Sequence, residues 1–370
     1  LLGLINFFFA DINQISHHSF YRDRLSRTFL IGRRERGVEH QDRVKLTELR
    51  EEGSRAPYHL LNAALNLQGS SELGLRDRKT VPFLFSKHYC GSDRTGYCKT
   101  ASMETRDPHL NLGTAMAISA AAASPNMGSI GVRYLTAALT ILNVRIGYWL
   151  PNPRRISSID EGLLAGQVRP GAKQLLREAI GDLDDEGWFV NCTDGGHIEN
   201  LGVYELLRRN CRLIVCVDAE ADPGFHFTGL TTLQRYAKID LGADVRIDLN
   251  ALREGQNKTR GAAHSPRAVP IDTDPLSDSV ERARRARGEE GTIGHGVPWV
   301  TGTIHYRDGT KGVLVYLKLG MIRNAPEYLR IYAERSPEFP HEGTGDQFFG
   351  ETQFEVYREL GQLIAEDALA

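Results

Sequence analysis

The stretch Trp188–Pro223, WFVNCTDGGHIENLGVYELLRRNCRLIVCVDAEADP, leaves fewer folds open than any other part of the chain. Trp188 to Thr193 is a short apolar and β-branched run, which predicts a buried strand. Asp194, Gly195 and Gly196 follow as a turn signal, because glycines permit positive φ and close backbone approach. From His197 to Arg209 the positions Ile198, Leu201 and Leu206, with Val203 and Leu207 beside them, fit one helical face. Glu199 and Glu205 lie toward the start of that helix and Arg208 and Arg209 at its end, as the helix dipole favours. Leu213 to Val217 then reads as a second buried strand ending on Asp218. The whole predicts strand, turn, helix and strand, with an acidic residue at each strand end, where α/β sheets place their chemistry. Asp194 is at this point either a turn or capping aspartate or a functional carboxylate.

The chain has 370 residues, enough for one large α/β domain or two smaller ones. Hydrophobic residues make up 41% and charged residues 25%, so a sizeable core is available. The formal net charge of −2 gives no global pull toward nucleic acid or an anionic membrane, and no nucleic-acid partner is expected. The five cysteines (Cys90, Cys98, Cys192, Cys211, Cys216) match no common zinc spacing, and a reducing compartment is the simpler reading.

Residues 1–10, LLGLINFFFA, are largely apolar but too short to span a bilayer, which needs about 20 residues. They are either a buried or interfacial segment or, the favoured reading, the tail of a truncated membrane helix. Arg22, Arg24, Arg27, Arg33, Arg34 and Arg36 follow. A basic run after an apolar segment suits acidic lipid head groups, but acidic residues return from Glu39 and a solvated face is favoured.

Further along, Pro57–Leu67 is a short apolar stretch and Val81–Ser86 reads as a strand. Asn111–Gly128 has an alanine-rich centre that predicts a closely packing helix stopped by Pro125, Asn126 and Gly128. Val132–Val144 reads as another apolar helix before the break at Pro151–Arg155, and Gly171–Ile180 as an amphipathic one. Leu230–Leu241 is expected to be helical and Val245–Leu249 a strand. Residues 253–296 read as a long polar insertion in which Arg282–Arg287 form a solvated face. Val300–Tyr306 and Gly312–Leu319 alternate around Asp308-Gly309, a hairpin signal. Pro326–Glu334 and Gly350–Ala365 are expected to close the chain as helices.

Several chemistries lack their motif. There is no phosphate loop and no dinucleotide fingerprint, so no cofactor is expected, and no H-E-x-x-H occurs. Asp194, His197, Glu199, Asp218 and Asp222 have no familiar metal spacing, and the metal reading is set aside. A serine hydrolase needs its nucleophile on a G-x-S-x-G elbow. Ser129 has Gly131 after it but Met127 before it, and Ser119 and Ser124 lack elbow glycines, so each is assigned a local role.

DGGHIENLGVYELLRR followed by CRLIVCVDAEADP resembles the aspartate motif of patatin-like and cytosolic phospholipases. PYHLLNAALNL, VPFLFSKHYCGS and LGTAMAISAAAASPNMG resemble the segments that precede that motif. FPHEGTGDQFFGETQFEVYRELG is similar to the tail of bacterial members with membrane segments, so the resemblance covers most of residues 10 to 365. It implies an α/β fold, a patatin-like sheet with helices on both faces, incomplete at the N-terminus. It implies a lipid acyl hydrolase of the phospholipase type that uses a Ser-Asp dyad, with Asp194 as the base supported by Gly195, Gly196 and Asn200. Without a histidine between them, the carboxylate must itself take the serine proton or polarise the hydroxyl. His197 is read as a turn or helix-start residue.

Two departures qualify the match. The oxyanion glycines and the nucleophile elbow that the family carries before this motif are absent, and Ala120 stands where a glycine is expected. The expected division is therefore an apolar tail at 1–10 and, over 11–370, the C-terminal part of a hydrolase domain lacking its serine. The expected partners are a phospholipid or other lipid ester and a membrane surface on the cytoplasmic side. The rival reading is a catalytically inactive, membrane-associated interaction module on a degenerate lipase fold.

Overall fold

A computed structural model describes residues 11–34, 37–49, 53–70, 78–121, 147–157, 169–257, 298–322, 325–343 and 350–369. They form two compact units, Leu1–Ile198 and Glu199–Ala370, so the chain divides inside the motif on which the sequence reading turned. The apolar segment at 1–10, the helix expected at Val132–Val144 and nearly all of the polar insertion lie outside the described residues.

The first unit begins with helix α1 (His18–Phe29) and a small hairpin of β1 (Ile31–Arg34) and β2 (Gly37–His40). Its main sheet is built from β3 (Leu60–Asn66), β4 (Thr80–Ser86), β5 (Tyr89–Ser92), β6 (Gly96–Lys99), β7 (Tyr148–Pro151) and β8 (Phe189–Asp194). Helices α2 (Thr100–Arg106), α3 (Leu112–Ser119), α4 (Pro153–Ser157) and α5 (Ala172–Ile180) complete it. The strand order is β6-β5-β4-β3-β8-β7, and every neighbouring pair is antiparallel.

This overturns the expected fold class: the sheet is an all-antiparallel curled half-barrel, not the parallel sheet of the patatin type. The linkers show why for two of its five pairs. Only Lys87 and His88 join β4 to β5, and only Asp93–Thr95 join β5 to β6. Parallel neighbours need a crossover of about a dozen residues or more, and these connections can only reverse the chain.

One face of the sheet carries Leu61, Ala63, Leu65, Phe83, Phe85, Val190 and Cys192, covered by Ala115 and Ile118 of α3. Asn111 starts that helix by accepting the Thr114 N–H at 3.0 Å. Cys90 and Cys98 are direct cross-strand partners in this core as free thiols. Burial pushes them up to about 11 and about 12 respectively. The opposite face packs Trp149 and Phe189 against Ile12, Leu175 and Leu183.

The second unit contains α6 (Tyr204–Arg208), β9 (Leu213–Asp218), α7 (Thr228–Tyr236), β10 (Asp244–Ile247) and α8 (Asn250–Asn257). It continues with β11 (Trp299–His305), β12 (Lys311–Lys318), α9 (Glu327–Arg335) and α10 (Glu351–Leu369). Its sheet has the order β10-β11-β12-β9, antiparallel except for the parallel pair β12 and β9. The hairpin expected around Asp308-Gly309 forms, with Gly309 at φ +83°. A cluster including Leu207, Ile214, Phe227, Leu233, Ile304 and Tyr316 fills one face, and Trp299, Leu317, Leu329, Leu360 and Ile364 pack on the other.

The opening motif therefore differs from its expectation in three respects. β8 and β9 belong to different sheets, so the strand–helix–strand unit is not one βαβ element. The helix expected at His197–Arg209 is reduced to Tyr204–Arg208, with a 3-10 turn at Gly195–His197. Gly202 takes a left-handed φ of +68°, which interrupts a helix, and the Glu199 carboxylate accepts the N–H groups of Leu201, Val203 and Tyr204. Nor is β9 buried on both sides: Leu213, Val215 and Val217 are exposed while Ile214, Cys216 and Asp218 are buried.

Within the second unit His341 is a pH-sensitive contact. Its Nδ1 accepts the Asp222 N–H at 3.3 Å, and its ring meets Phe225 edge-on with centroids 5.3 Å apart. Burial first, and then the Lys318 ammonium, hold the imidazole below its ordinary 6.5, against the opposing pull of the Glu220 backbone, Asp222 and Asp218. A histidine held neutral in the fold but protonated when unfolded makes stability fall with pH through the unfolded value. The thermal midpoint should therefore drop between about pH 8 and about pH 5. His341→Gln should flatten the part of that drop due to this ring, and an unchanged profile would contradict the assignment.

Candidate active site around the Asp194 turn

Asp194 is the last residue of β8, paired across from Ala63 of β3, so it shares the face that carries Leu65 and Cys192. Its carboxylate is half-buried. Oδ1 accepts the Gly196 N–H at 2.7 Å, and no other described residue donates a hydrogen bond to the side chain. Burial raises the carboxyl above the ordinary aspartate value, while the Gly196 N–H and nearby His197 pull the other way. The charge of Asp194 in turn adds to the effect of burial in raising Tyr21 of α1. The Tyr21 hydroxyl donates to the Ala120 carbonyl at 2.8 Å.

Gly195 is explained by close approach rather than by a left-handed backbone, which neither it nor Gly196 adopts. A Cβ at Gly195 would lie 2.7 Å from the Asn62 carbonyl oxygen and 3.2 Å from its carbon. Only a residue without a side chain lets the turn pass this close to β3. Ala120 closes α3 at φ −106°, ψ 13°, a conformation any residue adopts, so the glycine expected there is not needed for the backbone.

Ser119 approaches the same Asn62 carbonyl as the Gly195 turn. Asn200 is in the second unit, where its amide donates to Glu220. Ser119, the last residue of α3, donates its hydroxyl to the Asn62 carbonyl of β3 at 2.6 Å, a tertiary contact rather than the local turn or helix role expected of it. Ser124 and Ser129 are outside the described residues. Among the described residues no serine hydroxyl is hydrogen-bonded to Asp194, and no group of three His, Cys, Asp or Glu side chains is arranged to hold a metal.

The acidic residues once considered for a metal have local partners. Glu199 binds backbone N–H groups, and Asp222 accepts those of His226 at 2.9 Å and Phe227 at 2.7 Å. Asp218 pairs with Lys318 at 2.9 Å and accepts the Tyr316 hydroxyl.

Sequence reasoning missed the polar residues beneath the turn, Asn66, Asn191, Thr193 and Glu178, all buried in the first unit. Their signal was present in NLQ and VNCT. Polar side chains at alternating positions of otherwise apolar strands point into a core, where they must be paired.

Neither a known protein family nor a curated protein matches the chain. Among the described residues no helix is long and apolar enough to cross a membrane.

Proposed function

We propose that this chain carries the acid–base half of an acyl-ester hydrolase site acting on phospholipid or another lipid ester at a membrane surface, with Asp194 as general base. The observation that carries the reading is the state of that carboxylate. It stands at a strand end on a closely packed glycine turn, one oxygen is oriented by a backbone N–H, and burial raises its proton affinity. A base works best when its affinity is moved toward the operating pH and its position is fixed before reaction. The fold lends no support, because the antiparallel sheet departs from the family that the motif resembles. The nucleophile is assigned to a serine outside the described residues, and an inactive interaction module is the outcome if none exists.

Fluorophosphonate labelling of the full-length protein, read by mass spectrometry, tests this. One serine should be labelled, and Asp194→Asn should slow its labelling by about a hundredfold or more. Absence of a labelled serine, or labelling indifferent to Asp194→Asn, would overturn the proposal in favour of the interaction module. The 370 residues alone are expected to turn over no p-nitrophenyl ester. Turnover lost in both Asp194→Ala and Ser119→Ala would instead make Ser119 the nucleophile.

A further inference from the structure

We infer that the buried hydrogen-bonded row Glu178–Asn191–Asn66–Thr193–His197 is the positioning apparatus of the Asp194 turn, with Thr193 and His197 as positioning residues. The inference rests on the reading of Asp194 as the base. Four members are nearly or wholly removed from solvent: Glu178 and Thr193 at 0% exposure, Asn191 at 1% and Asn66 at 3%.

The row is continuous across four elements. Glu178 of α5 accepts the Trp149 indole N–H at 2.9 Å and the Asn191 amide at 3.5 Å. The Asn66 amide donates to Asn191 Oδ1 at 2.7 Å and to Thr193 Oγ1 at 3.1 Å. Thr193 Oγ1 then lies 3.1 Å from His197 Nδ1 and 3.4 Å from Asn66 Oδ1. The Thr193 hydroxyl can donate to Asn66 Oδ1, and which partner donates in the Thr193–His197 contact depends on the ring tautomer.

The chemistry of the row favours a geometric role. Apolar side chains of similar volume would fill the space between β8 and α5 without the cost of desolvating an amide pair and a carboxylate. The paired members of such a network add rigidity, while His197 Nε2 at its turn end has no hydrogen-bond partner among the described residues. The place where this one ends is informative. Thr193 immediately precedes Asp194, and His197 closes the 3-10 turn that starts at Gly195. The Thr193–His197 bond therefore ties together the two ends of the turn on one face of the strand. On the other face, Asp194 Oδ1 and the Gly196 N–H tie it again. The turn is clamped twice, and the second clamp is the catalytic carboxylate itself. Residues fixed through packed, hydrogen-bonded neighbours hold a reacting group to the tolerance that chemistry needs.

The test uses the whole chain and two readouts by NMR: hydrogen exchange at the Gly196 amide and titration of the Asp194 carboxyl, assigned with Asp194→Asn. The groups facing that carboxyl are His197 of the turn and Tyr21 of α1. Thr193→Val keeps the side-chain shape and removes the hydroxyl. It should speed Gly196 exchange by about tenfold and move the Asp194 titration toward that of an exposed aspartate. Thr193→Ser should restore both. If Thr193→Val fails to fold, His197→Phe, at the less buried end of the row, should give the same two changes. Wild-type exchange and titration in a folded Thr193→Val or His197→Phe variant, whatever the thermal midpoint does, would reduce the row to core packing and overturn the inference. Neither readout needs ester turnover, so this result and the fluorophosphonate result can fail separately.

Discussion

Asp218→Ala is expected to cost the second unit about 3–5 kcal/mol, because it leaves the Lys318 ammonium buried without its counter-charge. Both side chains are 1% exposed and face each other across the parallel pair β9 and β12. Lys318 Nζ donates to Asp218 Oδ1 at 2.9 Å and to the Glu220 carbonyl at 3.0 Å, and Tyr316 donates to the other carboxylate oxygen. Removing the carboxylate leaves the ammonium one carbonyl and orphans the Tyr316 hydroxyl. Removing the lysine as well gives a different result, since desolvation of the pair offsets most of its attraction. The double variant Asp218→Leu with Lys318→Met should return to within about 1 kcal/mol of the parent, or exceed it. Hydrogen exchange at the amides of β9, β11 and β12 reports this stability locally. A single substitution costing less than about 1 kcal/mol would show that water reaches the lysine.

Gly195→Ala should be the most damaging small substitution at the turn, at about 1–3 kcal/mol. The added carbon would meet backbone rather than a yielding side chain, with the Asn62 carbonyl oxygen at 2.7 Å. Relief requires β3 and β8 to separate where Ala63 and Asp194 pair, so the carboxylate moves with the strain. The variant should therefore lose fluorophosphonate reactivity of the full-length protein together with stability. Gly361→Ala is the matching control. It lies within α10 with no atom within 4 Å of the added carbon, and it should stabilise the helix by about 0.5–1 kcal/mol. Equal effects at the two positions would rule out the close approach as the reason for Gly195.

Local signals in the sequence were good guides to individual elements. Alternation marked β11 and β12, and the Asp308-Gly309 turn between them placed their hairpin. An amphipathic pattern marked α5, and helices were expected where α7 and both terminal helices form. The Asp194 strand end and its glycine turn were also legible, since a β-branched run halted by Asp-Gly-Gly has few other outcomes. The helix after it was overestimated. Its apolar spacing suited a helical face, but the left-handed Gly202 and the Glu199 carboxylate satisfy the backbone there without one. Periodicity reports which side of an element is apolar, and a capped loop can present the same residues.

By itself the sequence determined one local arrangement: a carboxylate on a strand end, beside glycines that allow the backbone to close up. Only the tertiary structure decided which strands are neighbours. A strand's pattern is the same whether its partner runs parallel or antiparallel, and the short linkers after β4 and β5 required reversal only at those two pairs. The same holds for the partners of buried polar groups. Thr193 and Asn66 lie far apart in the chain, as do Asp218 and Lys318, and each pairing exists because two strands meet in one register. Composition specified that such groups must be paired, and packing chose with what.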